Sequence, residues 1–230
     1  MSDADWKAIA EHADAVLASP SIGGCHEILT NAYENGVRHP EILWRLGRSY
    51  YEMAEESSDK KLSVSYKEKG LALCQQSLQE NPNNFAAHKW LGILLSAQDV
   101  GNKKRIENAY IIRDHFLKAL ELNPKDANSL HCMGKWCWSV LKISWVEQKA
   151  AKLLFGEPPK STVEDCLKYL LASAEAGNTI HNSVLIGDVY YYDKKKEKAK
   201  LWYQKAIEMP VNNMLQKKYY EAAEAKLTKC

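Results

Sequence analysis

The chain has 230 residues, 46% of them hydrophobic, and a formal net charge of +2. That apolar content is enough for a continuous core, and a near-neutral balance argues against strong nonspecific nucleic-acid binding. No apolar run approaches the roughly 20 residues that span a bilayer, and Met1-Ser2-Asp3-Ala4-Asp5 lacks the basic and apolar regions of a signal peptide.

Helical periodicity runs almost without interruption. It predicts helices near 3–18, 21–35, 40–57, 61–80, 84–99, 103–122, 126–141, 144–155, 161–176, 180–192, 195–209 and 213–228. Asp59, Asn102, Asp126, Ser144 and Ser161 are the expected N-caps, because their side chains can accept orphan backbone N–H bonds. The first 36 residues read as a degenerate helix pair, with Ala13 where later pairs have glycine and Ala32 closing the second helix. Residues 40–210 form the repeat core. The tail, 212–229, reads as a capping helix with Leu215, Tyr219, Ala222, Ala223 and Leu227 on one face. The whole chain is expected to be one domain.

The repeat is carried by four glycines: Leu46-Gly47…Tyr50, Leu91-Gly92…Leu95, Met133-Gly134…Cys137 and Ile186-Gly187…Tyr190. Each has an apolar residue before it and another three after it. Ala199, Tyr203 and Ala206 follow Gly187 at the offsets of a tetratricopeptide (TPR) repeat, in which small residues let two helices approach closely. Asn81-Pro82 and Asn123-Pro124 can close one hairpin before the next. The expected fold is therefore all-α, a TPR-like right-handed solenoid of helical hairpins. Glycine spacings of 45, 42 and 53 residues exceed the usual repeat of about 34, so long helices are expected, with the largest insertion around 142–159.

The six cysteines, Cys25, Cys74, Cys132, Cys137, Cys166 and Cys230, contain no CxxC pair. Cys25, Cys74 and Cys166 fall on apolar helix faces, and a reducing, intracellular setting fits this pattern. Spacings of one and five residues among His131, Cys132 and Cys137 suit no standard helical zinc site, so no metal is expected. No phosphate loop, nucleophile elbow or carboxylate pair is present, and neither a catalytic residue nor a cofactor is expected.

Several segments go beyond the general repeat: Leu43-Trp44-Arg45-Leu46-Gly47-Arg48-Ser49-Tyr50, His88-Lys89-Trp90-Leu91-Gly92-Ile93, His115 to Pro124, and Leu130-His131-Cys132-Met133-Gly134-Lys135-Trp136-Cys137. With Leu154-Phe155-Gly156-Glu157-Pro158-Pro159-Lys160-Ser161-Thr162, they resemble the regulator of microtubule dynamics family over roughly residues 40–210. The resemblance implies a noncatalytic protein that associates with tubulin or a microtubule-associated partner. It also implies a cytoplasmic address at the spindle and its poles, and a role in chromosome segregation. Some members carry an N-terminal membrane anchor; none is expected here, so a tethering role at membranes is not expected either.

Two surfaces are candidates for that partner. Turns within helix pairs (55–69, 99–107, 142–160, 193–200) are together net positive, whereas turns between pairs (34–41, 79–84, 121–126, 175–181) are each net negative. Lys60, Lys61, Lys103, Lys104, Arg105, Lys194, Lys195 and Lys196 would then form a basic edge suited to acidic peptide tails. They begin second helices, where the helix dipole disfavours cations by a few tenths of a kcal/mol, about 0.3 or more each. The bland reading is solvated lysine turns.

The second surface is a groove made by inward positions of the first helices: Glu41, Trp44, Arg48 and Tyr51, then Ala86, Lys89, Ile93 and Ser96, then Asn128, His131, Lys135 and Trp138, then His181, Val184, Asp188 and Tyr191. Cations beside aromatics suit an extended acidic peptide. For Trp44 and Trp138, helix packing is the competing reading, and Trp90 and Trp136 are read as core. The alternatives in function are an anionic-lipid or lipid-transfer module, for which an apolar floor ringed by lysines would speak, and a generic peptide-binding scaffold. A polar floor would favour peptide. Oligomeric state is left open by the sequence.

Overall fold

The computed structural model describes residues 3–17, 22–144, 148–149, 152–153 and 158–230. The described residues contain eleven helices: α1 (Asp3–Leu17), α2 (Ile22–Glu34), α3 (Pro40–Glu56), α4 (Lys60–Glu80), α5 (Phe85–Ser96), α6 (Asn102–Leu122), α7 (Ala127–Leu141), α8 (Val163–Gly177), α9 (Ile180–Tyr192), α10 (Lys196–Ile207) and α11 (Met214–Leu227). The helix expected at 144–155 lies largely outside the described residues, as do residues 154–157 of the Phe-Gly-Glu-Pro-Pro segment. The extra repeat length appears in α4 and α6, each of 21 residues.

The helix ends follow local chemistry. Asp59 caps α4 by accepting from the backbone N–H of Lys61 and Leu62, and Asp126 caps α7 through Ser129. At α8 the expected cap is displaced by one residue. Thr162, not Ser161, accepts from Asp165 N, while Asp165 accepts from Thr162 N. Only Thr162 stands three residues before the aspartate that completes this reciprocal box. Asn102 is itself the first helical residue of α6. Gly36 closes α2 at φ 87°, with Val37 N donating to Ala32 O; glycine tolerates this left-handed backbone without a Cβ clash.

The helices fall into two compact units, residues 1–122 and 123–230. In the first, α1 packs on α2, α3 on α4, and α5 on α6. In the second, α7 packs on α8 and α9 on α10, while α11 lies against α9 and α10. The glycines face the second helix of their own pair. A Cβ on Gly47 would meet Cys74 Sγ at 2.7 Å, one on Gly92 would meet Phe116, one on Gly134 would meet Leu170, and one on Gly187 would fall on the Tyr203 ring. Ala13 and Ala32 are buried in the first pair, as expected of a degenerate copy.

Two serines mark equivalent closures. Ser77 Oγ on α4 donates to Pro40 O at the start of α3, and Ser173 Oγ on α8 donates to Ala127 O at the start of α7, at 2.9 and 2.8 Å. Each satisfies a buried hydroxyl while locking the far end of one helix to the beginning of its mate. Cys25, Cys74 and Cys166 are buried, as their helix faces predict, and Cys137 joins them. Burial pushes their thiols up, Cys25 and Cys137 to about 11 and Cys166 to about 12. Trp90 is core; Trp136 is only half-buried.

Candidate functional site

All eight cations of the expected basic edge are exposed. Lys60 and Lys61 open α4, while Lys103, Lys104 and Arg105 lie in the first turn of α6. Lys194, Lys195 and Lys196 join α9 to α10. Their surroundings differ. Lys195 Nζ bonds Asp193 at 2.6 Å, and Lys104 Nζ lies 3.5 Å from Glu107. Lys194 has φ 59°. Its N–H donates to Tyr191 O and that of Lys195 to Tyr190 O, the hydrogen-bond pattern that glycine closes at Gly36. A lysine there carries a Cβ in the left-handed region, at a cost of about 1 kcal/mol.

The inward-facing residues separate into two groups with different fates. In the first unit they are consumed by packing. Trp44 is buried with Ala86, Ala87 and Trp90, and its Nε1 donates to Glu41. Glu41 also accepts from Arg45 and from Asn84 Nδ2, the cap of α5, so one carboxylate joins successive helix pairs. Arg45 continues this network to Asp14. Arg48 pairs with Glu52 at 2.8 Å and stacks over Trp90, against which Tyr51 also packs. Lys89 is 9% exposed, with its ammonium over the Phe85 ring.

In the second unit the equivalent positions line an open cleft of about 430 Å³. Helix α7 contributes His131, Lys135 and Trp138, and α9 contributes His181, Val184 and Asp188. The third wall is α11, through Leu215, Lys218, Tyr219, Ala222 and Lys226. Lys226 bonds both Asp188 oxygens at 2.7 Å, and Asp188 also accepts from the Tyr203 hydroxyl. Tyr219 packs on His181, and Trp138 meets Tyr192 edge to face.

The two cleft histidines are held neutral. Burial, joined by the neighbouring His181 and opposed by a bond to Asn182, pushes His131 down to about 3. Burial and then Lys135 push His181 down to about 4. Asn182 Nδ2 donates to Leu170 O, so its Oδ1 accepts, and His131 Nδ1 must carry the proton. That leaves Nε2 of His131 as an acceptor.

Sequence reasoning placed His131, Lys135 and Trp138 on one inner face. It read the apolar face of α11 as a cap only, and missed Lys218 and Lys226. Their one available signal was heptad-like spacing with Leu215 and Ala222. His131, Cys132 and Cys137 do not converge. His131 bonds Asn182, Cys132 Sγ lies 3.7 Å from Asn128, and Cys137 is in the core. Among the described residues no group of three or more His, Cys, Asp or Glu side chains is placed to hold a metal ion.

Helix pairs closing over a glycine, with an interior face of alternating aromatics and cations, define a TPR-like helical repeat protein. A thermophilic TPR protein from Thermus thermophilus superposes with a TM-score of 0.65 at 14% identity, covering 95% of this chain and 98% of the other. Residues 9–230 match the family profile described as Regulator of microtubule dynamics protein 1-3. The chain belongs to that family. It is 37% identical over 230 residues to Regulator of microtubule dynamics protein 1 of Pongo abelii, covering 96% of this chain and 71% of the relative. The human protein 1 is 38% identical, with 80% and 60% covered, and protein 3 of Xenopus laevis is 32% identical, with 75% and 38% covered. The chain thus spans between about two fifths and seven tenths of these relatives' own lengths. No helix among the described residues is long and apolar enough to cross a membrane.

Proposed function

We propose that this protein is a noncatalytic adaptor that associates with microtubules, directly or through a microtubule-associated partner, and so regulates their dynamics at the spindle in the cytoplasm. Family membership is the observation that carries the reading. The basic turns supply a means. All eight of their cations are exposed, and Lys194 occupies a left-handed backbone position that glycine would hold without strain. A strained residue kept at the surface points to use of its side chain. An acidic polymer would be attracted to such turns over about 8 Å at physiological ionic strength.

The lipid reading receives less support. The cleft's lining is interrupted by His131, His181 and the Asp188–Lys226 pair. An acyl chain there would remove these groups from water without offering them a hydrogen bond. A peptide can supply one.

The test is cosedimentation of purified protein with microtubules across a salt series. Binding should weaken steeply with salt, through the association rate more than the dissociation rate. The charge-reversed variant K103E/K104E/R105E should bind more weakly while its helicity and melting temperature stay close to wild type, since these side chains hold no core together. Equal sedimentation of variant and wild type at every salt concentration would refute the basic-edge mechanism.

A further inference from the structure

We infer that the cleft walled by α7, α9 and α11 is the seat of a carboxylate-rich peptide strand, gripped between Lys135 and Lys218. This deepens the adaptor reading above and rests on it.

Two of the cleft's three lysines are available to a ligand. Lys135 on α7 and Lys218 on α11 stand on different walls of the cleft, and both are exposed. Neither forms an ion pair among the described residues. The cleft's remaining lysine, Lys226, is committed to Asp188. The lining therefore carries more positive than negative charge, and the surplus resides on two side chains free to move toward a ligand. In the first unit, by contrast, Arg48 is paired with Glu52 and Lys89 is buried. An acidic strand finds uncommitted lysines on the inner face of the second unit.

The rest of the lining suits a peptide more than a simple anion. Trp138 and Tyr219 offer flat apolar contact. His131 lines the cleft, and with its proton fixed on Nδ1 by Asn182 its Nε2 is left as a hydrogen-bond acceptor. A cleft of about 430 Å³ holds a few side chains and no folded domain. Carboxylates bonded to lysine in this partly enclosed setting form charge-assisted bonds, stronger than neutral ones.

The whole chain should be titrated calorimetrically with deca-glutamate, using deca-glutamine of the same length as control. Deca-glutamate should bind one to one and deca-glutamine should not. K135E/K218E should weaken glutamate binding by about tenfold or more, because two attractive contacts become repulsive. Both side chains are exposed, so circular dichroism and melting should match wild type. If reversal disturbs them, K135Q/K218Q replaces it and should still weaken binding measurably.

Peptide binding lost in K103E/K104E/R105E but kept in K135E/K218E would overturn the inference, placing the strand on the basic turns. So would wild-type protein that ignores deca-glutamate but binds vesicles of phosphatidylcholine with added anionic phospholipid. Loss of peptide binding in K135E/K218E with unchanged microtubule sedimentation would uphold the cleft and count against the microtubule reading alone.

Discussion

Asp188 on α9 is bound by Lys226 through both carboxylate oxygens, although 38 residues separate them. The same carboxylate accepts from Tyr203, whose ring covers Gly187. One acidic side chain therefore fastens α10 and the terminal helix to the inner face of α9. The two bonds differ in burial, and that difference sets their worth. Lys226 is about one third exposed, while Tyr203 is almost wholly enclosed.

Lys226→Ala should cost about 1 kcal/mol or less, the range of partly exposed ion pairs. Asp188→Ala should cost about 1–3 kcal/mol, because it strands the buried Tyr203 hydroxyl as well. Urea melts of the two variants and the double mutant would measure this ordering. It fails if removing the aspartate is no worse than removing the lysine.

The glycines give a prediction of opposite signs. Gly134→Ala places a methyl 2.6 Å from Leu170 side-chain atoms and 3.2 Å from the Leu170 backbone nitrogen. The helices must move apart, and the substitution should destabilise by about 1–3 kcal/mol. Gly23→Ala, within α2, meets nothing inside 4 Å. Here alanine only reduces backbone freedom, and stability should rise by about 0.5–1 kcal/mol. Thermal melts of both variants side by side suffice, and equal effects would contradict the close-approach account of Gly134.

Histidine burial predicts how stability depends on acidity. His88 Nε2 donates to Pro82 O, so its Nδ1 accepts from His115 Nδ1 at 2.8 Å. Burial first, and His88 second, push His115 down to about 4. With His131 and His181 likewise depressed below the ordinary value near 6.5, the unfolded chain binds more protons than the folded one in mildly acidic solution. Their contribution is fully present above pH 6.5 and is lost as pH falls toward 4. Every tenfold loss of proton affinity on folding corresponds to about 1.4 kcal/mol, and all three histidines act in the same direction. Denaturant melts between neutrality and pH 5 should show it, and His115→Gln should flatten the slope. A level profile for the wild type would sink the idea.

Much of this molecule was legible in one dimension. Apolar spacing of 3.6 residues located the helix faces. The glycines at 47, 92, 134 and 187 marked where two helices must touch, because only a missing side chain permits that approach. Cap residues such as Asp59 and Asp126 act within three positions of themselves, so their roles needed no tertiary knowledge. The displacement from Ser161 to Thr162 shows how far such local reading reaches, within one residue.

What periodicity does not contain is the identity of a side chain's neighbours. Trp44, Arg48, Lys89, His131, Lys135 and Trp138 share the same inward phase, yet the first three are taken up by Glu41, Glu52 and Phe85. The last three open onto a cleft. That cleft exists because α11 returns against α9 and α10 and sets Lys218 and Tyr219 among them. Sequence alone determined which face of each helix turns inward, because backbone geometry repeats. Only the tertiary structure decided which inward residues stay free, because pairing depends on distances of a few ångströms between residues far apart in the chain.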